Sequence, residues 1–228
     1  MFIIFDLDDT LIDSSGSIIP FQLKRALKLA VRVELPMEDF SSLFSELMEV
    51  NRVASSGEVA LRNFLNSYGV SKDLTEQCVE VLGSMPDPEL AIEPVEHAKE
   101  VLEMLGHHQV AIVTIGKEEL QLYKLKKAGF DPRFFSKIIV AAEKNKKAHY
   151  IALLDEFKQN PSETIVIGDR VVVDLAPAKA LGCQTVQILR GRGLAELESG
   201  VSEDVDHRIH DLSALVDIVD RQKVRSKR

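Results

Sequence analysis

The sequence predicts an α/β protein: a doubly wound parallel sheet with a separate α-helical domain inserted after its first strand. Three observations carry that prediction. The chain opens on an apolar run, Phe2–Phe5, that stops at the carboxylates Asp6, Asp8 and Asp9. A long stretch of helical periodicity follows with no strand signal in it. From Pro94 onward, strand-like and helical segments alternate, which is the pattern of a parallel sheet.

Taken in order, residues 2–5 are β-branched or aromatic throughout and suit a strand buried on both faces. Ending such a strand in clustered carboxylates is costly, because like charges held close raise each other's pKa. A set of oxygen donors calls for a hard cation such as Mg²⁺. The plain alternative is that Asp8 or Asp9 caps a turn. Residues 20–31 then carry Leu23, Leu27, Ala30 and Val31 at helical spacing. Pro36 opens a second helix with the stripe Phe40, Leu43, Phe44, Leu47 and Met48. A third helix spans about 58–68 and stops at Gly69, and a fourth spans about 71–82 and stops near Gly83. Four helices in a row predict a small bundle. Prolines 86 and 88, with the polar segment 13–16, mark where the bundle leaves and rejoins the rest. The expected division is therefore 1–13 with 88–228 as an α/β core domain, and 14–87 as a helical domain.

In the core, strands are expected at 110–114, 137–141, 164–167 and 185–189, with helices at 94–105, 117–128, 144–157, 174–181 and 211–220. In open α/β sheets, ligands bind beyond the carboxyl ends of the strands. Those ends supply Asp6 and Asp8, then Thr114, then Lys144 shortly after the third strand, then Asp169 and Asp174 after the fourth. Each has an ordinary reading: Thr114 as a β-branched strand end, Lys144 as a solvated helix start beside Lys146 and Lys147, Asp174 as an N-cap. Together they suit phosphoryl transfer, where positioning and charge neutralisation do most of the work. One carboxylate can attack phosphorus, and a second, two residues away, can protonate the leaving alcohol and then activate water. Mg²⁺, a hydroxyl and an ammonium can hold the non-bridging oxygens.

Composition sets the outer limits. The 228 residues are 45% hydrophobic and 28% charged with a formal net charge of −8, which suits a soluble globular protein and argues against a general nucleic-acid binder. The basic run 221–228 reads as a solvated terminus. Cys78 and Cys183 are too far apart for a metal-type pair, and both read as buried thiols in a reducing compartment. No apolar run approaches bilayer length, and the first residues lack a basic region before turning acidic. No membrane association and a cytoplasmic location are expected.

The motifs resemble those of the haloacid dehalogenase (HAD) superfamily of phosphohydrolases. Asp6-Leu-Asp-Asp-Thr10 matches the family's DxDx[TV] motif, Thr114 its second-motif Ser/Thr, Lys144 its third-motif Lys, and the stretch from Gly168-Asp169 to Asp174 its acidic fourth motif. The resemblance implies a HAD-like Rossmannoid core, with the helical insertion as a cap. It implies Asp6 as nucleophile and Asp8 as general acid and base. It also implies Mg²⁺ held by Asp6, the Asp8 backbone carbonyl and Asp169, with Asp174 supporting the metal's water shell or pairing with Lys144. Two departures stand out: Ile115-Gly116 follows Thr114 where Asn is frequent, and Asn145 follows Lys144 where Pro is common. The resulting expectation is a Mg²⁺-dependent phosphatase of a small phosphorylated metabolite. A phosphomutase uses the same nucleophile. A phospho-accepting signalling domain is a third possibility, disfavoured because its acceptor follows a middle strand and no helical cap is inserted. The cap cations Lys24, Arg25, Arg52 and Arg62 are candidate substrate contacts, with solvent exposure as the plainer reading.

Overall fold

The computed structural model describes residues 1–35, 39–142, 145–198, 200 and 202–225. It divides into two compact units, Met1–Asp13 with Ala91–Arg228, and Ser14–Leu90. The second boundary falls at 90/91 rather than 87/88. Asp87 accepts from the backbone of Leu90 in a turn, whereas Glu93 and Pro94 already pair with Asp13 and Ile12.

The first unit is built on a six-stranded sheet, entirely parallel among the described pairs. Its strands are β1 (Phe2–Phe5), β2 (Gln109–Ile115), β3 (Lys137–Ala141), β4 (Thr164–Gly168), β5 (Gln184–Ile188) and β6 (His207–Ile209), in the spatial order β3-β2-β1-β4-β5-β6. The chain winds outward in both directions from β1 and β4, so the strand order reverses between them, and ligands of doubly wound sheets collect at such a reversal. β1 is wholly buried, as its unbroken apolar composition demands for a central parallel strand. Its register sets Phe5 opposite Ile112 on one side and Ile167 on the other. β6 is a three-residue edge strand, too short and too polar to show as a run in the sequence.

The second unit contains α1 (Ile18–Val33), α2 (Phe40–Val53), α3 (Gly57–Ser67) and α4 (Lys72–Leu82). Pro36, expected to open the second helix, lies outside the described residues; Asp39 caps α2 by accepting from Ser42 N. Ser56 and Ser71 cap α3 and α4 in the same way, satisfying amides that a helix start leaves open. Leu23, Leu27, Leu47, Leu61, Phe64 and Leu65 are buried together, so the unit has a core of its own. The cations suspected of substrate contact have partners inside this unit. Arg62 forks onto Glu76 at 2.7 and 2.8 Å and reaches Glu58, tying α3 to α4. Arg25 binds Gln22 and the Met85 carbonyl, Arg52 pairs with Glu49, and Lys24 lies over the Phe44 ring.

The remaining helices belong to the first unit: α5 (Ala98–Met104), α6 (Glu118–Lys127), α7 (Lys147–Phe157), α8 (Ala176–Lys179), α9 (Gly191–Glu198) and α10 (Ala214–Arg225). The helix expected from Pro94 begins four residues later, because Pro94 is held in a bridge to Ile12 and His97 takes a left-handed φ of 62°. The helix expected at 174–181 is split into a π-helical turn, Val171–Leu175, and the short α8. Among the described residues, no helix is long and apolar enough to cross a membrane.

Candidate active site

The site is built at the carboxyl ends of β1, β2 and β4. Asp6 is the first residue beyond β1, and its backbone amide donates to Ile167 O, extending the β1–β4 pairing by one step. Asp169 follows β4 directly. Asp174 returns from the π-helical turn to the same place: its Oδ2 accepts from Arg170 N at 3.0 Å and its Oδ1 accepts from Lys146 at 2.6 Å. This return is possible because residue 168 is glycine; a Cβ there would sit 2.6 Å from the Asp174 side chain. All three carboxylates are buried, and one oxygen from each lies within 4.8 Å of the others.

Lys146 binds this cluster. Its Nζ donates to Asp6 Oδ1 and Asp174 Oδ1, both at 2.6 Å, and its side chain is 1% exposed. Burial disfavours its charge, but Asp174 and Asp6 outweigh that and hold its pKa above the ordinary lysine value. The expected lysine, Lys144, lies outside the described residues. Lys146 meets the carboxylates because it stands at the N-cap of α7, one helical turn before Tyr150, on the face that also buries Leu153 and Leu154. Among the described residues Lys146 is the lysine that meets the cluster, and the 3.6-residue stripe through 146, 150, 153 and 154 was the signal that favoured it.

Like charge and burial leave their mark on the carboxyls. Asp6 is raised to about 7, first by burial, then by Asp174 and Asp8, against the lowering effect of Lys146. Asp169 is raised well above the ordinary range by burial, with Asp174, Asp9 and Asp6 adding to it. Three buried oxygen donors in this state form a set that a small divalent cation would satisfy.

Asp8 stands apart from the three. Its Oδ1 and Oδ2 accept from Lys124 at 2.5 and 2.8 Å, and Oδ2 also accepts from Gln121 Nε2 at 2.8 Å. Both side-chain oxygens of Asp8 are engaged by α6; the metal ligand expected from this residue is its backbone carbonyl. Thr114, at the end of β2, is 1% exposed, and its Oγ1 accepts from the same Gln121 amide at 2.7 Å. Asp9 turns the chain after β1 with a left-handed φ of 57°.

Two further contributors come from β5 and the helix that follows it. Glu196 on α9 accepts from Arg170 Nε at 2.6 Å and Val171 N at 2.7 Å, holding the loop between Asp169 and Asp174. Gln187 donates to the Asp169 carbonyl at 3.1 Å. Gly191 and Gly193 let this segment approach closely: a Cβ at the first would overlap the Asp9 carboxylate, and one at the second the Asp169 carbonyl. Neither Gln121 and Lys124 nor Glu196 was legible as a site residue, since polar side chains on helices ordinarily face water.

Comparison with known proteins agrees with this geometry. The family model of haloacid dehalogenase-like hydrolases matches residues 1–182. A glyceraldehyde 3-phosphate phosphatase of Pyrococcus furiosus is 27% identical over 96% of this chain and 93% of its own. That of Methanocaldococcus jannaschii is 28% identical over 97% of each. Among solved structures, the HAD-hydrolase YfnB of Bacillus subtilis, bound to magnesium, superposes with a TM-score of 0.70 at 20% identity, covering 96% of this chain and 98% of that one. With Asp6, Asp169 and Asp174 gathered at the reversal point of a doubly wound sheet, the chain belongs to the haloacid dehalogenase-like hydrolases, as an enzyme of the phosphoric monoester hydrolase class.

Proposed function

We propose that this chain is a Mg²⁺-dependent phosphatase that hydrolyses a small phosphorylated metabolite through an aspartyl phosphate on Asp6. The observation that carries the reading is the buried trio Asp6, Asp169 and Asp174 with Lys146 set between two of its members. The relatives named glyceraldehyde 3-phosphate phosphatase align over nearly the whole chain and make that triose phosphate the first substrate to test. The all-oxygen donor set fits Mg²⁺, with Asp6, Asp169 and the backbone carbonyl of Asp8 as its protein ligands. Bound there, the metal would neutralise non-bridging phosphoryl oxygens and keep Asp6 ionised.

The rest of the chemistry falls to the chain's own residues. An Asp6 carboxylate oxygen forms a bond to phosphorus as the bond to the leaving oxygen breaks. That oxygen keeps the electron pair and takes a proton from the Asp8 carboxyl, leaving as an alcohol. In the second step the Asp8 carboxylate takes a proton from water, whose oxygen bonds to phosphorus. The bond to Asp6 then breaks, its electron pair returns to the Asp6 carboxylate, and phosphate is released. Thr114 and Lys146 hold phosphoryl oxygens, and Asp174 fixes Lys146. The Ser14–Leu90 unit is the cap, moving to admit substrate and exclude water; YfnB, whose crystal form is described as revealing interdomain movement, supports that role.

The test is a panel of phosphorylated metabolites, glyceraldehyde 3-phosphate among them, with released phosphate as readout, run with and without chelator. Asp6→Asn is expected to fold and to release no phosphate, since an amide cannot supply the nucleophilic oxyanion. Turnover near wild type in that variant, or full activity after chelation, would sink the mechanism.

A further inference from the structure

The Asp8 side chain is held more firmly than a residue two positions beyond a strand needs to be. Both carboxylate oxygens are taken by α6, through Lys124 and Gln121. Lys124 is only 8% exposed in its side chain and Gln121 is 2% exposed, although α6 carries charged residues along much of its length. Lysine is seldom buried to that degree without a specific partner, and burying a charged pair adds little net stability over apolar packing. A leucine or methionine at either position would seat α6 on the sheet as well. The polar choice requires another reason.

The geometry supplies it. Gln121 Nε2 faces three acceptors at once: Asp8 Oδ2, Thr114 Oγ1 and the Ile115 carbonyl at 2.9 Å. One amide therefore joins Asp8 to the end of β2, where the phosphoryl-binding hydroxyl sits. Gly116 keeps the space open, for a Cβ there would lie 3.3 Å from Gln121 Cδ, on a backbone whose φ of 148° favours glycine. The same contacts keep the Asp8 carboxyl from turning into the cluster of Asp6, Asp169 and Asp174, where it would be lost as a proton carrier.

We propose that Lys124 and Gln121 are positioning residues for Asp8, fixing its carboxyl group where it can exchange a proton with the leaving oxygen. The inference rests on Asp8 being the general acid and base, as proposed above. A group that only orients the acid matters most when the leaving oxygen needs a proton. It matters little when the leaving group departs readily as an anion. A residue that merely holds α6 in place lacks that dependence.

The experiment compares kcat/KM, which covers the steps through departure of the alcohol, for p-nitrophenyl phosphate and for the best alkyl phosphate of the panel, with Mg²⁺ present. Lys124→Met and Gln121→Met are each expected to lose about 10- to 100-fold with the alkyl phosphate and less than about threefold with the nitrophenyl ester, from the range that general acid catalysis contributes. Lys124→Arg, which keeps the ion pair, is expected to recover most of the alkyl activity. Equal losses with both esters in both methionine variants, or no rescue by arginine, would overturn the inference. Asp8→Asn is the control that separates the two readings. If it lacks the leaving-group dependence, the acid–base role of Asp8 itself falls. If it shows the dependence and the α6 variants do not, only the positioning role falls.

Discussion

At the scale of single residues, the lysine of the site is the sharpest case. Lys144, Lys146 and Lys147 lie close together in the sequence, and spacing along it favours Lys144. Among the described residues, Lys146 is bonded to Asp6 and Asp174, whereas Lys147 is exposed. Losing one charged donor to a transition-state oxygen typically costs about 10²–10³ in kcat. Lys146→Ala is therefore expected to fall by roughly that factor, while Lys147→Ala, on the solvent face, changes turnover by less than about twofold. Phosphate release by the two purified variants, with melting curves to confirm folding, checks the ranking; comparable activities would remove Lys146 from the mechanism. Asp6, Thr114 and Asp169 drew notice in the sequence because each lies at or just past the end of a strand that an apolar run announces, and Asp174 because the segment after that strand carries a second carboxylate. Gln121 and Lys124 did not, because a buried polar residue on a helix looks in sequence like an exposed one. The contact they share is with Asp8, more than a hundred positions away.

At the scale of elements, the central strands and the four helices of the second unit were readable from periodicity, and β6 and α9 were not. β6 has three residues, and α9 begins Gly-Arg-Gly, which reads as loop. Yet α9 governs the shape of the loop after β4. Its Glu196 accepts from Arg170 Nε and Val171 N, and its two leading glycines allow it to lie against Asp9 and the Asp169 carbonyl. Both partners of this ion pair are mostly buried, about a fifth exposed, at 20% and 22%. Replacing Glu196 by Ala removes the acceptor of the Val171 amide and one acceptor of a mostly buried guanidinium, a change of about 1–3 kcal/mol. The expected result is a lower melting temperature and weaker Mg²⁺ binding, since the loop carrying Asp169 and Asp174 loses its brace. Glu196→Gln should keep part of the effect by accepting one bond. Titration of Mg²⁺ against the melting temperature of both variants decides it, and unchanged metal affinity in Glu196→Ala would show that α9 braces nothing the metal needs.

At the scale of the whole molecule, the direction of the carboxyl pKa shifts sets the buried cluster of Asp6 and Asp169 apart from the exposed carboxyls. In the Ser14–Leu90 unit, Glu34 and Glu76 are lowered, by hydrogen bonds from Ser71 and from Arg62. Carboxyls lowered in the folded state contribute stability above their unfolded pKa and lose it only in acid, so they give no slope near neutrality. In the other unit Asp131, Asp206 and Asp211 are lowered likewise, and the buried carboxyls of the candidate site shift the opposite way. Asp6 is raised from 3.8 to about 7, chiefly by burial, and Asp169 shifts the same way. Folded protein without metal therefore holds protons that the unfolded chain releases. The stability this contributes is complete below about 3.8 and is lost as pH rises through about 7. Mg²⁺ needs these oxygens deprotonated, so metal and proton compete for one set of ligands. Metal at about 100 times its dissociation constant adds roughly 2.7 kcal/mol. For a chain of this size that corresponds to about 5–10 °C in Tm. The rise on adding Mg²⁺ is expected to be full near about pH 8 and to shrink to about 2 °C or less near about pH 5.5, with the protons reclaiming the site. Asp6→Asn, which carries no such proton, should flatten much of that dependence. Thermal melts across the interval, with and without Mg²⁺, measure it directly. A metal-induced shift of the same size at both ends would mean that the ion binds somewhere other than the buried trio at the end of β1 and β4.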